Sequence, residues 1–182
     1  ALAEVAVLGR GLGELQALRE LTLCFFGCSA LSDLDTLGEG AGRLVQLRRL
    51  RVTIGCCIAV ADVAPLGRGL ARLPALQKLA LDLHSCTGLT DVTALGQGVG
   101  KLQALQEAAI YLNGCSGLQE VRALGESLGQ LPLLRKLTLD SRKCASLHDL
   151  AIFNAGLGPL ESLRDAHLCF HDCRRVADVA AV

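Results

Sequence analysis

The chain has 182 residues, enough for one domain with a continuous core, and its hydrophobic half (51%) contains so few aromatic residues (3%) that this core must be aliphatic. A formal net charge of zero gives no electrostatic support to general binding of nucleic acid or of an anionic membrane surface. No apolar run reaches the ~18–20 residues that a membrane span requires, so membrane insertion is not expected.

A 29-residue period runs through the chain without insertion or deletion. Six cysteines keep this step, and they are Cys28, Cys57, Cys86, Cys115, Cys144 and Cys173. Two leucine columns keep it as well: Leu15, Leu44, Leu73, Leu102, Leu131 and Leu160, and Leu18, Leu47, Leu76, Leu105, Leu134 and Leu163. A fixed period of this length is typical of a solenoid, in which each unit packs only on its neighbours.

The first four units differ in small ways. Residues 1–36 begin at a predicted helix start, and residues 37–65 form the most basic unit. The pattern is most regular in residues 66–94 and 95–123. Within the latter, Ala108 replaces a strand leucine, which predicts a local weakness in the core.

The last two units depart further from the pattern. Ser141 replaces an apolar residue in residues 124–152, and residues 153–182 stop without a complete helix. We predict a single domain over residues 1–182, with about six repeats and both ends truncated mid-repeat. Because such ends expose apolar edges, we expect a segment of a longer array or end-on docking against another subunit.

Each unit contains a predicted strand and then a predicted helix. Leu79, Leu81 and Leu83 alternate with small or polar residues, which is the period of a strand with one buried face. Apolar residues spaced three, four and three apart from Val92 to Leu102 form one face of a helix, and Asp91 is placed to cap its N-terminus. The same column holds Asp33, Asp62, Glu120, Asp149 and Asp178, and Pro74, Pro132 and Pro159 follow the predicted helix ends.

These units predict an α/β fold in which parallel strands stack into one sheet. Strands lie ~4.8 Å apart, whereas packed helices need ~8–10 Å. The mismatch bends the stack into a horseshoe or arc, with the sheet on the concave face and the helices on the convex face.

The unit pattern LxxLxLxLxxCxxLxDVxxLGxGLGxL resembles the leucine-rich repeat family, and most of all its helix-bearing, ribonuclease-inhibitor-like class. The resemblance covers essentially the whole chain. It departs from the family in its dense glycines and in the spacing of Leu81 and Cys86, which leaves room for a longer strand carrying Leu83. The resemblance implies protein binding on the concave sheet and names no ligand.

The nine cysteines are interpreted as free thiols, with the cysteine column buried as a ladder that faces the turn backbone of the next unit. Disulfides between successive units are the alternative. A unit spacing of ~5 Å suits the Cα atoms, but parallel side chains hold the Cβ atoms farther apart than the ~3.8 Å that a disulfide prefers. We therefore expect an intracellular, reducing compartment, either cytoplasmic or organellar.

The glycine runs resemble phosphate-binding loops, but a nucleotide site would occur once and these runs recur. Gly9–Gly13, Gly38–Gly42 and Gly96–Gly100 fall late in predicted helices, so we assign them to close helix packing.

Metal binding and catalysis are not predicted. Cys169 and His171 should face away from Cys173, and zinc-type spacing is absent. The repeat register sets no histidine and acid beside a serine or cysteine at a predicted exposed strand position. We predict neither enzymatic activity nor a cofactor.

The units disagree most at the strand positions predicted to face the concave side. A merely solvated sheet face would vary too, so variation alone does not decide for a binding surface. The predicted partner-binding residues are Arg49, Arg51, Lys78, Asp82, His84, Tyr111, Asn113, Asp140, Arg142 and His171. Among them Tyr111 is the favoured anchor, and Arg49, Arg51 and Lys78 are expected to form a basic end that attracts acidic side chains.

The predicted function is a non-enzymatic module that binds a protein or peptide on the concave sheet. The alternative is a structural or scaffold subunit of a larger assembly, which contacts its partners through its ends and its helical face.

Overall fold

The computed structural model describes residues 2–147 and 160–173, where helices and strands alternate. The helices are α1 (Leu2–Leu12), α2 (Asp35–Gly42), α3 (Ala64–Leu70), α4 (Thr93–Val99) and α5 (Arg122–Gly129). The strands are β1 (Glu20–Cys24), β2 (Arg49–Thr53), β3 (Lys78–Asp82), β4 (Glu107–Tyr111), β5 (Lys136–Asp140) and β6 (Asp165–Cys169). The predicted alternation is confirmed in this part of the chain; the features expected at Asp149, Pro159 and Asp178 lie outside it.

All six strands form one parallel sheet in chain order, as predicted. Each strand residue lies opposite the residue 29 positions later, so Glu20 faces Arg49 and Arg49 faces Lys78. The same register continues to β6, where Lys136 faces Asp165. Equivalent side chains therefore form straight rows across the sheet.

A continuous aliphatic core lies between the sheet and the helices. Leu79 and Leu81 of β3 are buried, and so are the four inner members of each leucine column. Leu18, Leu160 and Leu163, at the ends of the columns, are only partly buried. Leu15 departs from its column because it is 50% exposed in the first unit. Ala108 is also buried and occupies the strand position that leucine holds at Leu79.

The helices are shorter than predicted. Helix α4 begins at Thr93 and ends at Val99, so Asp91 does not occupy the N-cap position. Instead, its Oδ1 accepts a 2.7 Å hydrogen bond from the amide of Thr93, two residues later. Bonds from the side chain and the amide of Thr93 lower the pKa of Asp91. Leu102 lies in the following turn, where its amide donates to the Val99 carbonyl.

The helix glycines permit the close packing that was predicted. A β-carbon on Gly67 would run into the carbonyl of Ala94 in the next unit, and one on Gly98 would run into the carbonyl of Gly67. Gly38 and Gly69 repeat this relationship one unit earlier. The helices are therefore in direct backbone contact, which only glycine allows.

The cysteine column is buried from its second member onwards, and all nine cysteines are free. Each buried thiol donates to a carbonyl 32 residues earlier, at 3.0–3.2 Å: Cys57 to Phe25, Cys86 to Ile54, Cys115 to Leu83, Cys144 to Leu112 and Cys173 to Ser141. The ladder thus faces the preceding unit rather than the next one. Cys28 was predicted to be buried and is exposed.

Burial of these thiols makes ionisation costly. It raises the pKa of Cys86 to about 11, and those of Cys115 and Cys144 to about 12. It also raises the pKa values of Cys57 and Cys173.

The strands are five residues long, so the longer strand carrying Leu83 was a wrong expectation. The hydrogen bonds nevertheless continue past the strand end: Leu83 donates to Tyr111 O and Ser85 to Asn113 O, both at 2.8 Å. The residue before each column cysteine has positive φ: Gly27, Cys56, Ser85, Gly114, Lys143 and Asp172. This left-handed turn recurs in every described unit, although only Gly27 and Gly114 suit it without strain.

Candidate functional site

The strand residues that point away from the core form what we call the open sheet face, on the side predicted to be concave. It has three rows of one residue per strand: Glu20, Arg49, Lys78, Glu107, Lys136 and Asp165; Thr22, Arg51, Ala80, Ala109, Thr138 and His167; and Cys24, Thr53, Asp82, Tyr111, Asp140 and Cys169. The fourth predicted row, which contains His84, lies in the turns beyond the strands.

The first row carries ion pairs between neighbouring strands. Arg49 Nη1 lies 2.8 Å from Glu20 Oε1, and Lys78 Nζ lies 2.7 Å from Glu107 Oε1. Arg49, Arg51 and Lys78 were expected to form a basic end. The carboxylates of Glu20 and Glu107 neutralise two of these three cations, Arg49 and Lys78. Of these three cations, Arg51 is exposed and makes no ion pair within the described part of the chain, so its guanidinium can meet a partner.

A shallow groove of ≈ 360 Å³ crosses β1–β5 along the first two rows. Ala80 and Ala109 lie at its middle, and their short side chains leave a low floor between larger neighbours. Lys78 and Glu107 line the groove from the first row. The register therefore builds a channel at right angles to the strands.

The third row lies on the other side of these alanines. Tyr111 is 36% exposed, so its ring can reach a bound molecule. Asp82 and Asp140 occupy the same row on the two adjacent strands. The sequence-predicted residues Arg51, Asp82 and Tyr111 are therefore brought onto one continuous surface, whereas Asp140 of the third row is buried.

Asp140 and Arg142 form a clamp at the end of β5. Arg142 Nε and Nη2 donate to the two carboxylate oxygens at 2.8 and 2.6 Å, and Asp140 is only 4% exposed. Burial raises the pKa of Asp140, but the hydrogen bonds and charge of Arg142 outweigh it, and the net pKa is lowered. This pair lies outside the lining of the groove and does not offer a free guanidinium.

The other predicted turn residues are more loosely placed. Asn113 is half-buried, and its carbonyl accepts from Ser85. His171 is exposed, with its Nδ1 3.2 Å from Asp172 Oδ2.

A thiol, an imidazole and a carboxylate lie in line beyond the ends of β2 and β3. His84 Nδ1 is 2.6 Å from Asp82 Oδ1, and His84 Nε2 is 3.6 Å from Cys56 Sγ. The sequence prediction covered only exposed strand positions, and Cys56 lies in the turn after β2, so this arrangement was missed. Cys56 lies 28, not 29, residues before His84, so the repeat register does not pair them.

Within residues 2–147 and 160–173, no group of three or more His, Cys, Asp or Glu residues could hold a metal ion. No helix there is both long enough and apolar enough to cross a bilayer. A second thiol–imidazole pair joins Cys169 Sγ to His167 Nε2 at 3.1 Å.

The fold is similar to that of solved structures. The tropomodulin C-terminal domain from Caenorhabditis elegans has a TM-score of 0.55 at 13% identity, covering 86% of this chain and 91% of that chain. Internalin C2 from Listeria monocytogenes gives a TM-score of 0.40 at 20% identity, with 87% and 74% coverage. Neither a protein-family model nor a curated protein matches the sequence. The first likeness bears on the fold alone, and that fold is the predicted leucine-rich-repeat solenoid.

Proposed function

We propose that the chain is a recognition module that binds an extended segment of a protein or peptide across its open sheet face. The observation that supports this most is the groove of ≈ 360 Å³ with Ala80 and Ala109 at its floor. A convex or densely filled sheet face would offer no such seat for a main chain.

The lining of the groove is already ordered before a partner arrives. Lys78 and Glu107, which both line the groove, form an ion pair at 2.7 Å. Binding then costs little additional side-chain entropy, because these rotamers are set in the free protein. Exposed ion pairs of this kind add only ~0–1 kcal/mol to folding, so the first row contributes little to stability.

The side chains of the open sheet face that are available for contact indicate which chemical groups a partner would carry. Arg51 presents a cation without an ion pair in the described structure, and the ring of Tyr111 offers an apolar anchor with a polar tip. A complementary segment carries an acidic side chain for Arg51 and an apolar side chain for Tyr111. Between these anchors its backbone crosses the alanine floor.

Selection from a library of random peptides displayed on phage tests the proposal. Enriched sequences should share an acidic and an apolar position, and the synthetic peptide should bind the purified protein in calorimetry. Ala109→Arg fills the groove and should abolish binding, whereas Gln97→Arg adds the same charge to the exposed face of α4 and should not. Tyr111→Ala should weaken binding by about tenfold or more.

The scaffold alternative gives the opposite pattern. If Ala109→Arg leaves the affinity of the selected peptide unchanged while Gln97→Arg reduces it, the helical face is the binding surface and the proposal is overturned. A library that yields no enriched sequence also counts against it.

A further inference from the structure

The line formed by Cys56, His84 and Asp82 is absent from the other units. In the column of Cys56 the other units have Gly, Ser, Lys or Asp, and in the column of His84 they have Phe, Gly, Asn, Arg or His. His171 has Lys143, not a cysteine, at the position that corresponds to Cys56. Packing devices such as the cysteine ladder and the helix glycines recur in most units. A feature confined to β2 and β3 therefore needs a different explanation from repeat packing.

The imidazole of His84 is held in place from several sides. Asp82 Oδ1 bonds its Nδ1 at 2.6 Å and its amide at 3.2 Å. The ring of Phe26 lies at a centroid distance of 5.6 Å. A β-carbon on Gly55 would run into the ring, so glycine at this position makes the room that the imidazole occupies. The ring cannot turn away from Cys56 without losing these contacts.

The orientation suits removal of a proton from the thiol. A carboxylate on Nδ1 holds the proton there and leaves Nε2 as the acceptor. Nε2 lies 3.6 Å from Cys56 Sγ, within the range of a sulfur hydrogen bond. Thiols become nucleophilic when an adjacent base takes the proton, because the thiolate is the reacting form.

The thiol is also accessible. Cys56 is half-buried, and Asp82 and His84 keep 31% and 27% of their side chains exposed. Cys24 and Cys28 are more exposed, yet in the described structure neither bonds an imidazole. If exposure alone set reactivity, Cys24 and Cys28 would react first, whereas activation by an imidazole favours Cys56. An experiment can therefore distinguish these two causes.

We propose that Cys56 is a modification site at which the thiol exchanges with small-molecule disulfides, with His84 as the base and Asp82 as its positioning residue. His84 Nε2 takes the Sγ proton, and the thiolate attacks one sulfur of the disulfide. The Cys56–sulfur bond forms as the disulfide bond breaks. The departing thiolate takes the proton from His84, so that one mixed disulfide and one free thiol result. This inference is independent of the proposed peptide binding.

The reduced protein should be treated with less than one equivalent of glutathione disulfide at neutral pH, and the modified cysteine should be identified by peptide mass mapping over time. Cys56 should react first, about tenfold faster than Cys24 or Cys28. If the order follows exposure, or if Cys169 beside His167 reacts first, the proposal is overturned. This ranking uses the unmodified chain and needs no variant to fold.

Two variants then test the roles. Asp82→Asn and His84→Ala should each slow the reaction of Cys56 by about tenfold, while the rate at Cys24 in the same molecules stays unchanged. His167→Ala is the matched control and should alter only Cys169. An unchanged rate at Cys56 in His84→Ala overturns the proposed base.

Discussion

The carbonyl of Ala94 lies where a β-carbon of Gly67 would stand. The Gly67→Ala variant must therefore push α3 and α4 apart, and we expect it to lower the free energy of unfolding by about 1–3 kcal/mol. Urea denaturation followed by circular dichroism measures the loss. Gly11→Ala is the control, because nothing lies within 4 Å of that β-carbon in α1. It should be neutral or stabilising by about 0.5–1 kcal/mol, and equal losses in both variants would contradict the packing role.

The left-handed turn position predicts a stabilising substitution at an exposed residue. Lys143 has φ 59°, so Lys143→Gly should raise the free energy of unfolding by about 1 kcal/mol through relief of backbone strain. Gly27→Ala tests the reverse: Gly27 has φ 71° and open space around its β-carbon, so any loss comes from the backbone alone. A Lys143→Gly variant less stable than the parent chain would refute the strain.

The buried thiols predict alkaline unfolding. Burial raises the pKa of Cys115 and Cys144 from 9.0 to about 12, so their contribution to stability is intact below pH 9 and is lost as the pH rises towards 12. In that window the unfolded chain releases protons that the folded chain retains. Each thiol then costs up to about 1.4 kcal/mol of stability per pH unit.

Equilibrium unfolding measured at several pH values between 9 and 11 checks this slope. Replacing Cys115 and Cys144 together by alanine removes two titrating groups without forcing a larger side chain into the core. The double variant should be less stable at pH 7, because two thiol hydrogen bonds are lost, but its stability should fall less steeply at alkaline pH. Identical slopes in the two proteins would show that these thiols are not the source.

Ser141 carries a buried hydroxyl without a partner among the described residues. Its carbonyl accepts from Cys173 Sγ, and that bond survives truncation of the side chain. Ser141→Ala should therefore raise stability by about 1 kcal/mol, measured by thermal unfolding. Ser162→Ala is the partnered counterpart, since its hydroxyl donates to Pro132 O at 2.8 Å, and it should lose stability. Equal effects at both serines would contradict the assignment.

The 29-residue step was enough to predict the parallel sheet, its register and the rows on its surface. Identical spacing at Leu79 and Ala108 places them opposite each other, and the structure has them so. The repeated glycines also revealed their role, because a packing contact must recur wherever the unit recurs. Features that the units share can therefore be predicted from the period of the sequence.

Features within one unit were harder to predict. The helix pattern did not reveal that Val99 is the last helical residue, because the turn that follows keeps Leu102 buried too. Asp91 resembles a cap because a bond to an amide two residues later suits the same residue types as a true N-cap. The positive φ of Cys56 and Ser85 could not be predicted, because cysteine and serine are not residue types that favour the left-handed conformation.

The candidate site shows the same limit. The 29-residue spacing predicted that Asp82 and His84 lie in different rows of the sheet surface. It predicted no contact of either residue with Cys56. Contacts in the turns join residues 28 apart, as Cys56 and His84 show, since the chain curls there. Gly55 was the available signal: it is the one residue of its column without a side chain.

Equivalent residues lie directly opposite each other on neighbouring strands, and this register limits which peptide positions can contact equivalent residues of the sheet. Neighbouring strands are ~4.8 Å apart, whereas side chains on one edge of an extended peptide recur every ~6.6 Å. Three strand intervals and two peptide intervals nearly coincide, at ~14 and ~13 Å. A peptide lying across this sheet thus comes back into phase after four of its own residues, and a recognition motif for this chain would carry its equivalent side chains at that spacing.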